Sequence, residues 1–207
     1  AKSKSSTNSE SGTDNILEEP LARTEMTPEV DERNRRFWNE LCGSGLARNL
    51  GIRDFNPESL QIFDRAYLEL YPYLRSYLDP DLQHRRTLEI GLGYGTLSQL
   101  LIEAGADYHG VDLCPEPVRV VQQRWHWARG SAAESRVLVG SALHLPFADA
   151  SFDSLYSIGC FHHTGNLQRA VQECRRGLVS GGGAGVVLFH GHSPRRMLGR
   201  NTAGQHG

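Results

Sequence analysis

The chain has 207 residues and a formal net charge of -2, with 22 Lys and Arg against 24 Asp and Glu. This length suits one α/β domain with a sizeable core, and the nearly balanced charge argues against a protein that coats nucleic acid or a membrane surface. The apolar runs are too short to span a bilayer, and the first residues lack the apolar core of a secretory signal. We therefore expect a cytoplasmic protein.

The first 80 residues are predicted to form a tail and a helical cap. Residues 1–30 are rich in Ser, Thr, Glu and Lys and bury too little apolar surface to offset the entropy of ordering, which predicts a disordered tail. Residues 31–80 are predicted to be the cap. Its first helix begins at Asp31 and ends near Gly43, where glycine stops it.

The second cap helix has clearer start and stop signals. Asn56 is a suitable cap, and Pro57 suits the first helical position. Pro72 is expected to break the helix, because proline lacks a backbone donor and clashes with the preceding turn. Its aromatic residues are interpreted as packing residues, with substrate contact as the alternative. These residues are Tyr67, Tyr71, Tyr73 and Tyr77.

The stretch from Arg86 to Asp112 is predicted to be a βαβ unit. A buried strand over residues 87–90 leads into a glycine-rich turn, a helix follows, and a second strand ends at Asp112. Glycines let the backbone turn sharply and lie against a ligand, and a carboxylate after the second strand can accept hydrogen bonds from a ribose. The unit therefore predicts a nucleotide-like cofactor.

The glycine spacing bears on which cofactor is bound. The turn has the pattern G-x-G-x-G, and Thr96 stands where the dinucleotide pattern G-x-G-x-x-G has its third glycine. Glu89 stands two residues before the first glycine. Its carboxylate would repel a pyrophosphate and attract a cofactor that carries an ammonium and a sulfonium. A nicotinamide-dependent oxidoreductase stays open as an alternative.

The remaining elements continue the alternation of strands and helices. We predict a helix over residues 115–129, strands over 136–140 and 154–158, a helix from Leu167, and a fifth strand over 185–189 after three glycines. This order predicts an α/β doubly wound sheet. The cysteines are scattered without a C-x-x-C pair, so reduced thiols are expected rather than a disulfide framework or a thiolate metal site. They are Cys42, Cys114, Cys160 and Cys174.

Two sequence blocks resemble a known family. The pattern E-x-G-x-G-x-G from Glu89 to Gly95, with Asp112 downstream, resembles motif I and the acidic loop of class I S-adenosylmethionine-dependent methyltransferases. Residues 140–153, GSALHLPFADASFD, closely resemble a block of small-molecule methyltransferases related to the ubiquinone and menaquinone biosynthesis enzymes. The resemblance runs from about residue 87 to residue 189. It implies a Rossmann-like fold with strand order 3-2-1-4-5, S-adenosyl-L-methionine as the cofactor, and methyl transfer to a small molecule.

The resemblance also assigns cofactor-binding residues. It implies that Glu89 serves the amino end of the cofactor, that Asp112 binds the ribose hydroxyls, and that Ser141 lies at the adenine amino group. The family usually has an aspartate where Ser141 stands, and a neutral hydrogen bond is weaker than a charge-assisted one, so we expect modest affinity. The other residues assigned to the cofactor are Gly91, Leu92, Gly93, Gly95, Leu113, Ala142, Leu143 and Ile158.

The loop after the fourth strand supplies the catalytic candidates. Phe161-His162-His163 matches the family's F-H-H loop, and His162 and His163 are candidates for proton transfer because histidine titrates near neutral pH. The alternative is that a histidine only packs and shapes the pocket. No metal site is predicted, since a third ligand is lacking beside His190 and His192. The loop differs from the N-P-P-Y type of nucleic-acid base methyltransferases, so no nucleic-acid partner is expected.

The end of the chain is expected to leave the fold incomplete. Residues 81–207 are predicted to be the S-adenosylmethionine-binding domain, but residues 190–207 are polar and lack the helix and hairpin with which the family fold continues. We therefore expect a C-terminally truncated sheet whose fifth strand is an exposed edge and promotes self-association. A non-catalytic cofactor-binding remnant or regulatory domain is the alternative function.

Overall fold

The protein was analysed as a computed structural model that describes Glu32, residues 45–132 and residues 134–188. The predicted tail and first cap helix lie outside the described residues, apart from Glu32, which is helical. The polar segment 190–207 also lies outside them. Among the described residues, no helix is both long enough and apolar enough to cross a membrane.

The centre of the fold is a sheet of five parallel strands in the order β3-β2-β1-β4-β5. The predicted α/β class and the predicted strand order are thereby confirmed. Because all strands run the same way, the segments that follow β1, β2 and β4 meet at one edge of the sheet. The strands are β1 (Arg86–Ile90), β2 (Asp107–Asp112), β3 (Val137–Val139), β4 (Phe152–Ile158) and β5 (Leu178–Val187).

Within residues 45–132 and 134–188, five α-helices and two 3-10 helices connect and flank the strands. The predicted helix over residues 115–129 is confirmed with the same bounds. The α-helices are α1 (Gly45–Asn49), α2 (Pro57–Leu70), α3 (Thr96–Glu103), α4 (Pro115–Arg129) and α5 (Leu167–Gly177). The 3-10 helices are Pro72–Tyr77 and Phe161–His163.

The start and the end of α2 follow the predicted signals. The Asn56 side chain accepts a hydrogen bond of 2.9 Å from the Ser59 N–H, as a helix cap does. The helix ends at Leu70, and a 3-10 helix begins at Pro72. The predicted interruption at Pro72 is therefore confirmed, since proline cannot donate the bond that would continue the α-helix.

The fifth strand begins earlier than predicted, at Leu178 instead of residue 185. Leu178 pairs with Phe152, whereas Gly183 pairs with Ser154, so the glycine run is an irregularity inside the strand and not a turn before it. Gly181 has a φ of +79°, which glycine adopts readily. Val186 of β5 and Leu188 just after the strand are 38% and 44% exposed, so one face at this end of the strand is uncovered within the described residues.

The core consists of three packed clusters of apolar side chains. One surrounds Leu88 and Phe152 and includes residues of α5, and a second surrounds Leu101 and Tyr108 and includes residues of α4. The third joins the cap to the rest of the chain. Its members are Ala47, Ile52, Leu60, Phe63, Tyr94 and Val120. The cap therefore packs on the glycine turn through Tyr94.

Candidate functional site

A cavity of about 320 Å³ lies at the carboxyl ends of β1, β2 and β4. Phe63 and Tyr67 of α2 line it on the cap side, and Gly140 lines it at the end of β3. The structure brings almost all the predicted cofactor residues to this cavity; Gly95 does not line it. The predicted residues that do are Glu89, Gly91, Leu92, Gly93, Asp112, Leu113, Ser141, Ala142, Leu143 and Ile158.

A glycine is needed at each of the three positions of the turn for a different structural reason. All three have a positive φ, but only Gly93 faces open space, since a Cβ there would meet no atom within 4 Å. A Cβ on Gly91 would lie 2.5 Å from the Cβ of Cys160. A Cβ on Gly95 would lie 2.9 Å from Arg124 and Val121, so Gly95 makes room for α4. Gly93 is thus the glycine at which a ligand can approach the backbone.

Asp112 holds the glycine turn against the end of β2. Its Oδ2 accepts a 2.7 Å hydrogen bond from the Leu92 N–H, and its Oδ1 accepts a 2.8 Å bond from the Cys114 N–H. Burial raises the pKa of Asp112, and these backbone donors oppose the rise. Asp112 also lines the cavity, so its carboxylate can accept hydrogen bonds from a ligand.

Glu89 is a buried carboxyl group at the floor of the cavity. Its Oε2 accepts hydrogen bonds of 2.6 Å from Ser98 Oγ and 2.7 Å from Tyr108 Oη. Burial raises the pKa of Glu89 to about 7, although both hydroxyls favour the charged form. When ionised, Glu89 gives this end of the cavity a negative charge that suits a cationic ligand.

Sequence reasoning missed an ion pair that joins the cap to the glycine turn. Arg124 is only 4% exposed and binds both oxygens of Asp64 in α2 at 2.9 and 2.8 Å. Its Nε also donates to the Tyr94 carbonyl oxygen at 2.9 Å, and Thr96 Oγ1 donates to Asp64 at 2.6 Å. The sequence signal for this ion pair is an arginine at a position on the buried face of α4. The sequence does not indicate which acidic residue pairs with it.

An aromatic stack strengthens the same junction. The rings of Phe63 and Tyr94 are stacked with centroids 4.1 Å apart, and Tyr67 stacks on Phe63 at 5.6 Å. Tyr67 also contacts Tyr71 at 4.7 Å and lines the cavity. Tyr67 therefore packs against neighbouring rings and also borders the ligand space.

The loop after β3 forms another wall of the cavity. The Leu143 N–H donates a 3.2 Å hydrogen bond to Ser141 Oγ, which makes a tight turn of residues 141–143. Leu143 is buried, and Ser141 is partly exposed toward the cavity. The side chain at position 141 thus borders the ligand space and shapes the local backbone.

The two histidines of the loop after β4 have different positions. Both lie in the 3-10 helix Phe161–His163, with ring centroids 3.9 Å apart, but His163 lines the cavity and His162 does not. Phe161 is buried in the core beneath them. Within residues 45–132 and 134–188, no group of three or more metal-ligating side chains is arranged to hold an ion.

A sequence match agrees with the fold and the cavity in pointing to one family of proteins. Residues 88–185 match the family model described as a methyltransferase domain. The match begins in β1, ends in β5, and contains the glycine turn, Asp112 and the loop after β3. The matched residues, slightly less than half of the chain, are similar to a class I S-adenosylmethionine-dependent methyltransferase domain, and S-adenosyl-L-methionine is the methyl donor in that family.

Curated relatives agree with this family and differ in their acceptors. The chain is 30% identical over 117 residues to the ajmaline N-methyltransferase of Rauvolfia serpentina, covering 55% of this chain and 39% of the relative. It is 35% identical over 107 residues to the demethylmenaquinone methyltransferase of Thermus thermophilus, covering 51% and 47%. It is 29% identical over 134 residues to the probable tRNA methyltransferase 9B of Bos taurus, covering 63% and 27%. This chain therefore spans less than half the length of each relative.

A solved structure shares the fold. The PH0226 protein of Pyrococcus horikoshii OT3 superposes with a TM-score of 0.51 at 25% identity, covering 72% of this chain and 66% of that protein. The chain again spans slightly less than two thirds of its relative. The likeness agrees with the parallel sheet and the flanking helices described above.

Proposed function

We propose that this protein transfers a methyl group from S-adenosylmethionine to a small-molecule acceptor. The observation that supports the proposal is the meeting of Glu89, Asp112 and Ser141, from three separate strand ends, around the open backbone of Gly93. The cavity has a carboxyl group at one end, a second carboxyl group beside it and an apolar wall beyond. These features suit a ligand with a cationic end, a ribose and a flat base, respectively.

The proposed placement of the cofactor follows the chemistry of the lining. Ionised Glu89 faces the ammonium end, and the Asp112 carboxylate, which lines the cavity, accepts the ribose hydroxyls. The turn of residues 141–143 lies at the adenine edge. Leu113 and Ile158 supply apolar surface. Gly93 allows close approach, whereas we assign Gly95 to packing against Arg124.

The chemistry of transfer requires alignment more than a reactive side chain. When bound, S-adenosylmethionine supplies an electrophilic methyl group on a sulfonium. Phe63 and Tyr67 cover the cavity, which restricts water and holds the acceptor near the reacting centre. If the acceptor must lose a proton, we assign that role to His163, because it lines the cavity. His162 then packs beside it, with ring centroids 3.9 Å apart.

A small molecule is the acceptor class that we favour. The aromatic cap side of the cavity suits a compact, partly apolar acceptor. The relatives named for ajmaline and demethylmenaquinone methylation support this choice, and the relative named for tRNA makes RNA the rival acceptor. We also propose that the chain self-associates through β5, as expected for an edge strand.

Binding and turnover test the proposal separately. Titration calorimetry of the chain with S-adenosylhomocysteine and with NAD is expected to show binding of the first and not of the second. NAD binding without S-adenosylhomocysteine binding would overturn the proposal in favour of an oxidoreductase. Release of S-adenosylhomocysteine is then followed with amines, quinols and tRNA as acceptors. Cofactor binding without transfer to any of them would assign a binding domain instead of an enzyme.

A further inference from the structure

Charged side chains of α5 form hydrogen bonds with the loop after β3 on the side away from the cavity. Arg169 Nε donates a 3.0 Å hydrogen bond to the carbonyl oxygen of Leu143, which lines the cavity. Glu173 Oε2 accepts a 3.0 Å bond from the Leu145 N–H. The side of the loop away from the cavity is therefore bonded to a helix.

Arg176 extends the same pattern along the loop. Its Nη2 donates to the Leu145 carbonyl oxygen at 3.1 Å, and its Nη1 donates to the Phe147 carbonyl oxygen at 2.8 Å. Nη1 also pairs with Asp149 at 2.8 Å. The carbonyl oxygens of alternate residues, 143, 145 and 147, are thus each held by an arginine of one helix.

The three helix residues also bind one another. Arg169 and Arg176 lie 3.0 and 2.8 Å from the two carboxylate oxygens of Glu173, which is 4% exposed. Their spacing of four and three residues places them on one helix face. Hydrogen bonds from Arg176 lower the pKa of Glu173. Both arginine side chains are partly exposed, so these ion pairs contribute little net stability and their main effect here is to fix geometry.

We propose that Arg169, Glu173 and Arg176 are positioning residues that set the loop of residues 141–147 for selective recognition of adenine. This inference rests on the proposed function, in which the loop lies at the base. Recognition of a base edge depends on hydrogen bonds that weaken within a few tenths of an ångström. The loop has little regular structure of its own, so the bonds to α5, together with the packing of Leu143 and Leu145 in the core, fix its position.

The test compares two ligands that differ only in the base. Hypoxanthine has the size of adenine but exchanges a donor for an acceptor at position 6 and an acceptor for a donor at position 1. Calorimetry gives dissociation constants for S-adenosylhomocysteine and S-inosylhomocysteine with the wild-type chain, Arg169→Gln, Glu173→Gln and the control Arg175→Gln. Arg175 is exposed on the same helix and makes none of these loop contacts in the described structure.

The expected result is a change in the preference for adenine. Arg169→Gln and Glu173→Gln should reduce the preference of the wild type by about three- to tenfold, the effect of a weakened hydrogen bond. The control Arg175→Gln should have the same preference for the adenine ligand as the wild type. The Arg169 side chain is 41% exposed, so Arg169→Gln should unfold at nearly the wild-type temperature.

Two outcomes would overturn the inference. One is an unchanged preference in a folded Arg169→Gln variant, and the other is an equal loss of affinity for both ligands, which indicates a purely structural role. If Glu173→Gln does not fold, Arg169→Gln alone decides. A wild-type chain that binds neither ligand would instead refute the proposed function, so the two failures are distinguishable.

Discussion

Glu89 combines two properties that oppose each other. A cationic ligand needs the carboxylate, but burial favours the neutral acid and raises the pKa of Glu89 to about 7. The hydroxyls of Ser98 and Tyr108, at 2.6 and 2.7 Å, partly restore the charged form. Binding through Glu89 is therefore expected to depend on pH near neutrality.

Cofactor affinity should rise as the pH increases through about 7, the pKa of Glu89, because the ionised form attracts the ammonium of the ligand. A lost charge-assisted hydrogen bond corresponds to about a tenfold or larger change in the dissociation constant. Titration of the chain with S-adenosylhomocysteine on both sides of this pH measures the effect. Glu89→Gln should bind weakly with little pH dependence over the same range.

Ser98→Ala provides a matched control for this prediction. The Ser98 hydroxyl lowers the pKa of Glu89, so its removal should move the midpoint of the pH dependence upward. A wild-type affinity that does not change with pH, or a midpoint unaffected by Ser98→Ala, would contradict the role of Glu89.

The raised pKa of Glu89 also predicts how the free energy of unfolding changes with pH. Because folding raises the pKa of Glu89 from 4.5 to about 7, the folded chain holds its proton more tightly than the unfolded chain. This contribution to stability is fully present below pH 4.5 and is lost as the pH rises through about 7. Glu89→Gln should therefore gain stability relative to the wild type on going from acid to alkaline pH. Urea unfolding of both proteins measures the difference.

Asp112→Ala should weaken cofactor binding by roughly 1.5 to 3 kcal/mol, the value of hydrogen bonds to a charged group. The structure adds a second effect, because the variant also leaves the Leu92 and Cys114 N–H groups without their acceptor. Asp112→Asn keeps a carbonyl oxygen and should lose less affinity. Unchanged affinity in calorimetry, with native circular dichroism, would exclude Asp112 from the site.

Ser141→Asp should tighten cofactor binding, because a carboxylate makes a stronger hydrogen bond to the adenine amino group than a hydroxyl does. An aspartate can also accept the Leu143 N–H bond that Ser141 Oγ now accepts at 3.2 Å, so the turn should persist. Calorimetry with S-adenosylhomocysteine gives the change in affinity. Equal or weaker binding would show that this loop does not contact the adenine.

At the scale of elements, a buried ion pair between Asp64 and Arg124 joins α2 to α4 beside the aromatic stack on the glycine turn. Asp64→Ala leaves the guanidinium of Arg124, which is 4% exposed, without its carboxylate. We expect a loss of about 3 kcal/mol in the free energy of unfolding, since an unpaired buried charge is costly. Urea unfolding measures it.

Glu69→Ala is the control for this change, because Glu69 is an exposed carboxylate on the same helix. Surface substitutions of this kind usually change stability by less than about 0.5 kcal/mol. Equal losses for the two variants would show that the ion pair does not stabilise the attachment of α2.

At the scale of the whole molecule, β5 borders the sheet within residues 45–132 and 134–188, with β4 as its strand neighbour. Self-association through this edge stays a prediction. Light scattering of the full chain should give a mass above that of the monomer, and Val186→Lys should lower it, because a charged side chain discourages edge pairing. A monomeric wild type at high concentration would contradict the prediction.

The sequence by itself determined the strand order, the bounds of α4 and the set of segments around the cavity. The helix bounds and the glycine turn follow from local signals, namely periodic apolar residues, glycines after β1 and a carboxylate after β2, whereas the strand order follows from the family resemblance. The resemblance also assigned residues as distant as Glu89 and Ser141 to one site, and both line the cavity because parallel strands align their carboxyl ends.

The tertiary structure alone decided which partners these residues have. The pairing of Asp64 with Arg124, the hydroxyls around Glu89 and the bonds from α5 to the loop after β3 join residues far apart in the chain. Such contacts depend on side-chain direction and burial, which local spacing does not encode. The same reason separates Gly93 from Gly95: one faces open space and the other faces Arg124.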